Sequence, residues 1–169
     1  APRMDELDED AALYQSVNTV CIRDGKLYGY NTDGRGFIRA LADAGVDPAG
    51  RRVLLLGSGG AAKAVALKLV QQGAASVTVC NRTAAKAEEL CQYAPAVMKA
   101  AGFDQATLRR EAARAELLVN CTSLGMAGTG GQFEDLSFLK ELPPAAAVCD
   151  LIYHPAETDL LCLAREAGH

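Results

Sequence analysis

Gly57-Ser58-Gly59-Gly60-Ala61-Ala62 follows the apolar run 53–56 and opens an Ala-rich stretch of helical character. The spacing is G-x-G-x-x-A, and the chemistry it serves is phosphate binding. Gly57 permits a tight turn, Gly59 lets the backbone approach a pyrophosphate, and Ala62 is small enough for the helix to pack on the strand. Free N–H groups at the helix start then meet the negative charge. Many strand-to-helix turns share such glycines without a ligand, but here the pattern lies inside a strand–helix–strand unit, the context a dinucleotide site requires. The next apolar run ends at Asn81-Arg82-Thr83, where an NAD-specific site would place a carboxylate for the ribose 2′-hydroxyl. No carboxylate stands there. Arg82, with Lys86 four residues on, offers planar charge-assisted donors and a point charge to a 2′-phosphate, so NADP is expected over NAD. The alternative is two solvated charges beside Glu88 and Glu89.

Two more segments carry polar side chains at places where ligands bind. Asn120-Cys121-Thr122-Ser123-Leu124-Gly125-Met126 closes a further apolar run. At the carboxyl end of a strand its Thr122 and Ser123 hydroxyls either touch a cofactor or cap the loop. Asn31-Thr32-Asp33-Gly34 joins a hairpin to a helix, so Thr32 or Asp33 serves either as an N-cap or as a ligand contact. Asn18 and Asn31, at corresponding places in adjacent strands, are expected to face one ligand carrying several hydroxyls. Cys21, Cys80, Cys91, Cys121, Cys149 and Cys162 form no C-x-x-C pair and have no His nearby. Metal ligation is therefore not expected, and the four in apolar runs read as small hydrophobes of a chain from a reducing compartment.

The elements that must position these residues follow from periodicity. Residues 8–14 read as the tail of a helix, and 17–22 with 26–30 flank Arg23-Asp24-Gly25 as a hairpin. Phe37, Ile38, Leu41 and Ala44 recur at helical spacing until Gly45 and Pro48 stop the run. Residues 52–56, 59–72 and 76–80 make strand, helix and strand. Residues 84–93 and 104–114 read as further helices, 116–121 and 146–152 as strands, 157–167 as a closing helix and 125–131 as a surface loop. Strands alternating with helices imply an α/β fold: a Rossmann-type doubly wound parallel sheet with right-handed crossovers. The 169 residues, half of them hydrophobic, suffice for one sizeable core. The net charge of -4 argues against a nucleic-acid partner and for a small molecule. No apolar stretch reaches the roughly 18 to 20 residues of a membrane span, and the acidic start is unlike a signal peptide, so a cytoplasmic location is expected.

Taken in order, Val17-Asn18-Thr19-Val20, Gly29-Tyr30-Asn31-Thr32-Asp33-Gly34-Arg35-Gly36-Phe37, the glycine turn, Asn81-Arg82-Thr83, the segment from Asn120 to Met126 and Asp150-Leu151-Ile152-Tyr153 resemble the shikimate/quinate dehydrogenase family over nearly the whole chain. The resemblance implies reversible hydride transfer between NADPH and the ring carbonyl of 3-dehydroshikimate, giving shikimate on the route to chorismate and the aromatic amino acids, in a monomer or homodimer. It implies a remnant of a substrate domain over 1–33 and an NADP-binding Rossmann domain over 34–169. Asn18, Thr32 and Asp33 would contact substrate hydroxyls, with Asp33 also the carboxylate of a catalytic Lys-Asp pair, and Tyr153 would reach the substrate. Gly57, Ser58, Gly59, Gly60 and Ala61 would carry the pyrophosphate, while Asn81, Arg82, Thr83 and Lys86 would carry the adenosine phosphate. Thr122, Ser123 and Leu151 would border the nicotinamide, and His154 is given no role. The family's lysine and carboxylate-gripping serine would fall before Ala1, and its substrate-binding glutamine after His169. The expectation is a truncated chain that keeps cofactor binding and loses most or all catalysis. A quinate-using relative with NAD, or a dinucleotide-binding module without catalysis, are the alternatives.

Overall fold

In the computed structural model, which describes residues 4–128 and 131–169, the apolar runs resolve into two sheets. The first holds β1 (Glu6–Leu7), β2 (Thr19–Arg23) and β3 (Lys26–Tyr30) in the order β1-β3-β2, with α1 (Glu9–Tyr14) between its first two strands. α2 (Asp33–Asp43) leads from it to the second sheet. That sheet is built from β4 (Arg52–Leu56), β5 (Ser76–Cys80), β6 (Met98–Ala101), β7 (Leu117–Asn120) and β8 (Ala147–Asp150). All of its pairings are parallel, in the order β6-β5-β4-β7-β8. The connections carry α3 (Gly60–Gln71), α4 (Ala84–Cys91), α5 (Gln105–Ala112) and a 3₁₀ turn at Ser137–Glu141, and α6 (Asp159–Glu166) follows β8.

Burial explains why the strands read as continuous apolar runs. Val53, Leu55, Val77, Val79, Leu117 and Val119 pack on one face against α3, α4 and Tyr14. Leu54, Leu56, Cys80 and Leu118 pack on the other against α5, α6 and Phe138. A parallel sheet covered on both sides has no polar face to alternate with. The Rossmann-type reading of the sequence is what the second sheet shows.

Several elements depart from the sequence expectations. Residues 8–14 are not the tail of a helix but a short complete one, capped by Asp8, whose carboxylate accepts from the Ala11 N–H at 2.8 Å, and preceded by β1. β6 was not expected, because Met-Lys-Ala-Ala has neither alternation nor β-branched residues and takes its strand form from pairing with β5. The 3₁₀ turn was missed as well. Phe138 and Leu139 are two apolar residues without a period, and they are buried under the sheet.

α2 lies against α3 because Gly34 has no side chain. A Cβ there would meet the Ala64 carbonyl oxygen at 2.9 Å, the Tyr14 hydroxyl at 3.0 Å and Lys68 Cβ at 3.1 Å. Gly34→Ala gains about 1 kcal/mol of helix propensity but overpacks a backbone contact at about 1–3 kcal/mol. The expected net result is a lower urea midpoint with an unchanged slope; an unchanged or raised midpoint would show that the helices separate without cost.

Candidate dinucleotide site

The strand order reverses between β4 and β7, and in open α/β sheets the ligand crevice lies outside the carboxyl ends of the strands at that point. The loops after β4 and β7 meet there. Gly57 takes φ +102°, and a Cβ on it would lie 3.0 Å from the Cys121 carbonyl oxygen and 3.1 Å from Thr122 Cγ2. Only glycine serves both the conformation and the approach. At Gly59 and Gly60, in contrast, a Cβ would meet nothing within 4 Å, so the backbone faces open space. Gly59 is the N-cap of α3 and supplies no side-chain cap, so the first N–H groups of that helix lack such a partner. Ala62 is fully buried against the sheet. Uncapped donors at the positive end of a helix, on a backbone with room before it, fit an anionic pyrophosphate.

Asn81 shapes the next turn, its amide donating to the Thr83 carbonyl at 2.9 Å. Arg82, Thr83 and Lys86 stand exposed beyond it. Among the described residues neither Arg82 nor Lys86 has an ion pair, although Glu88 and Glu89 are close in sequence. Ser58, Gly59, Gly60 and Lys86 line one cavity of about 270 Å³, and Arg82 lines another of about 860 Å³ with Phe103 and Gln105.

A hydrogen-bond network fixes the loops after β7 and β8. Fully buried Asn120 donates to Asp150 Oδ1 at 3.0 Å, and its own Oδ1 accepts from the Thr122 N–H at 3.0 Å and the Thr122 hydroxyl at 2.7 Å. Asp150 also accepts from the Ile152 N–H at 3.0 Å and the Thr158 hydroxyl at 2.7 Å. Thr122 thus has the loop-capping role for its hydroxyl, while Ser123 is exposed. Leu151 is half-buried and Tyr153 is 87% exposed in the loop that follows. Sequence reasoning named Thr122 but missed Asn120 and Asp150 as its supports. Their pairing spans 30 positions, and the only signal was a polar residue at the end of each apolar run. Burial and the Asp150 charge push the Cys121 thiol up, and they raise Cys149 to about 11, so neither is a thiolate nucleophile at neutral pH.

A second polar cluster closes the open end of the β2–β3 hairpin. Asn18 Nδ2 donates to Asp33 Oδ1 at 2.6 Å, and Asn18 Oδ1 accepts from the Thr19 hydroxyl at 2.9 Å and the Thr32 N–H at 3.1 Å. All four residues are exposed. Thr32 occupies the N-cap of α2 without a side-chain cap bond. Asn31 touches this cluster only through the Asp33 backbone and is not exposed with it. It is 1% exposed, donates to the Ser16 carbonyl at 3.2 Å and accepts from the Asp33 N–H at 3.2 Å. Strand pairing ends at Thr19 and Tyr30, so the rule that opposite residues share a face no longer holds one step beyond. Among the described residues no group of three or more His, Cys, Asp or Glu is placed to hold a metal.

Residues 40–127 match the family model described as Shikimate / quinate 5-dehydrogenase. The chain belongs to this family. Shikimate dehydrogenase (NADP(+)) of Alkaliphilus metalliredigens is 40% identical over 175 residues, covering 99% of the chain and 60% of the relative. Shikimate 5-dehydrogenase of Listeria monocytogenes, solved with shikimate and NAD, superposes with a TM-score of 0.85 at 32% identity, over 98% of the chain and 60% of that structure. Quinate dehydrogenase of Corynebacterium glutamicum with NAD gives 0.84 at 33% identity, over 99% and 60%. The chain therefore spans about 60% of the length of these family members. Its glycine turn and its β7 loop lie inside the matched model, while Asn18, Asp33 and Tyr153 lie outside it but within the coverage of the relatives. No helix among the described residues is long and apolar enough to cross a membrane.

Proposed function

We propose that this chain binds NADP(H) at the switch point of its parallel sheet and serves shikimate dehydrogenase activity, the reversible reduction of 3-dehydroshikimate to shikimate, in the cytosol. One observation carries the reading: a glycine turn without a side-chain cap at the crevice, with Arg82 and Lys86, neither in an ion pair among the described residues, where an NAD site would carry a carboxylate. The bound nicotinamide supplies the hydride chemistry. What remains falls to the side chains. The N–H groups from Gly59 onward hold the pyrophosphate, Arg82 and Lys86 hold the 2′-phosphate, and Asn81 and Thr83 form the turn that presents them. Thr122, Ser123 and Leu151 border the nicotinamide on loops fixed by Asn120 and Asp150, and Tyr153 extends from the same loop toward substrate. Asn18 and Thr32 bind substrate hydroxyls, and the 2.6 Å bond from Asn18 orients the Asp33 carboxylate, the catalytic group of this chain.

The test is a titration of the chain with NADPH and NADH, followed by nicotinamide fluorescence. NADPH is expected to bind at least about tenfold more tightly, the worth of one charge-assisted hydrogen bond. Equal affinities would remove the NADP assignment. They would favour the second reading, a quinate dehydrogenase using NAD, which the fit to the Corynebacterium glutamicum structure supports. Absence of saturable binding by either would sink both.

A further inference from the structure

We propose that Lys63, held in place by Tyr93, is a further specificity-determining cation that reads the 2′-phosphate of the dinucleotide; this rests on the cofactor reading above. Lys63 lies in the first turn of α3, directly after the glycine turn. Its ammonium donates to the Tyr93 hydroxyl at 2.6 Å and sits 4.0 Å from the centroid of the Tyr93 ring. Neither contact brings a countercharge, so the pairing positions the ammonium without cancelling it. Among the described residues Lys63 has no carboxylate partner.

The placement decides what that charge is for. The cavity of about 270 Å³ beside Gly59 and Gly60 has Lys63 on its α3 wall, and Lys86 and Glu89 of α4 with Tyr93 of the turn after it on the other. Two ammonium groups face one carboxylate there, and the uncapped start of α3 adds its positive end. Arg82, four residues before Lys86, lines the larger cavity and would reach the same phosphate from there. The cavity thus lies on the α4 side of the glycine turn, the side that follows β5, where the ribose 2′ position is read, and not on the β7 side of the switch point. An anion in it meets Lys63 and Lys86 from opposite walls. A lysine held by an aromatic neighbour also loses less side-chain freedom on binding than one that swings free.

The experiment titrates wild-type chain, Lys63→Met, Lys63→Arg and Tyr93→Phe with NADPH and with NADH at fixed salt, and adds adenosine 2′-monophosphate as a competitor. Lys63→Met is expected to weaken NADPH about tenfold and to leave NADH within about twofold, with competition by adenosine 2′-monophosphate weakened in parallel. Lys63→Arg restores the discrimination. Tyr93→Phe keeps the ring and removes the hydroxyl, and it should weaken NADPH alone by about threefold. Equal losses for both dinucleotides would place Lys63 on the pyrophosphate and overturn the specificity claim. Undiminished NADPH binding by Lys63→Met would overturn any role for it. Wild-type chain that binds neither dinucleotide would instead sink the cofactor reading itself.

Discussion

Asp10→Ala is expected to lower the thermal midpoint of the chain by about 10 °C, read by far-UV circular dichroism. The Asp10 side chain is 5% exposed. It accepts from the Tyr14 hydroxyl at 3.2 Å, from Arg35 Nε at 2.7 Å and from Lys68 Nζ at 3.2 Å, so one carboxylate on α1 joins α2 to α3. Removing it leaves Lys68, 17% exposed, as a largely buried ammonium without an acceptor. Arg35 is more exposed and keeps Asp8 at 2.7 Å, which places the loss near the lower end of what broken buried pairs cost, about 3 kcal/mol. For a chain of this size each kcal/mol moves the midpoint by about 2–4 °C. Asp10→Asn, which keeps the shape and loses the charge, should fall between.

The same contact predicts a pH dependence. Burial pushes the Asp10 carboxyl up, but the hydrogen bonds from Arg35 and Lys68 outweigh it and hold the group below its ordinary value of 3.8. A folded value below the unfolded one means that the stabilisation is fully present above the unfolded value and is lost as pH falls through the folded one. The advantage of wild type over Asp10→Ala should therefore shrink on going below about pH 4. An advantage that stays constant down to pH 2 would show that the carboxylate is not paired in the folded chain.

Why some of this was legible in the sequence and some was not comes down to range. β4, α3 and β5 could be read to within a residue or two because each is specified locally: a fully buried parallel strand is an unbroken apolar run, and the glycines that end it have their own spacing. The glycine turn and the exposed Arg82 are local for the same reason. The contacts that aim the loops are not. Asn120 and Asp150 read as polar residues after apolar runs, and only the β7–β8 register puts them opposite one another. Asp10 and Lys68 are 58 positions apart and look like ordinary surface charges on two helices. Asn31 failed in the other direction, since strand alternation gave it a ligand-facing side chain until the end of the pairing turned it inward to Ser16. Lys63 sits on α3 and Tyr93 in the turn just beyond α4, and the α3–α4 juxtaposition on one face of the sheet fixes a layer but not which side chains meet.

Arg82→Asp should reverse the cofactor preference, with NADPH affinity falling about 100-fold or more and NADH affinity unchanged or improved. Two effects act in the same direction. The substitution removes a guanidinium whose charge-assisted bonds to a phosphate are worth about 1.5–3 kcal/mol, or about 10- to 150-fold. It also places a carboxylate, which repels a 2′-phosphate and accepts from a free 2′-hydroxyl, at the end of the second strand of the β-α-β unit, as in NAD sites. Because Arg82 is exposed and has no ion pair among the described residues, the fold should be undisturbed, and an unchanged thermal midpoint is the control. Salt separates the two effects. The NADPH affinity of wild type should fall steeply between 50 mM and 500 mM chloride, while the NADH affinity of the variant, which rests on a hydrogen bond to a neutral hydroxyl, should change less. If the variant loses NADPH and NADH equally, Arg82 contacts a part that both dinucleotides share, such as the adenine ring, and the 2′-phosphate must then be held by the ammonium groups of the neighbouring cavity.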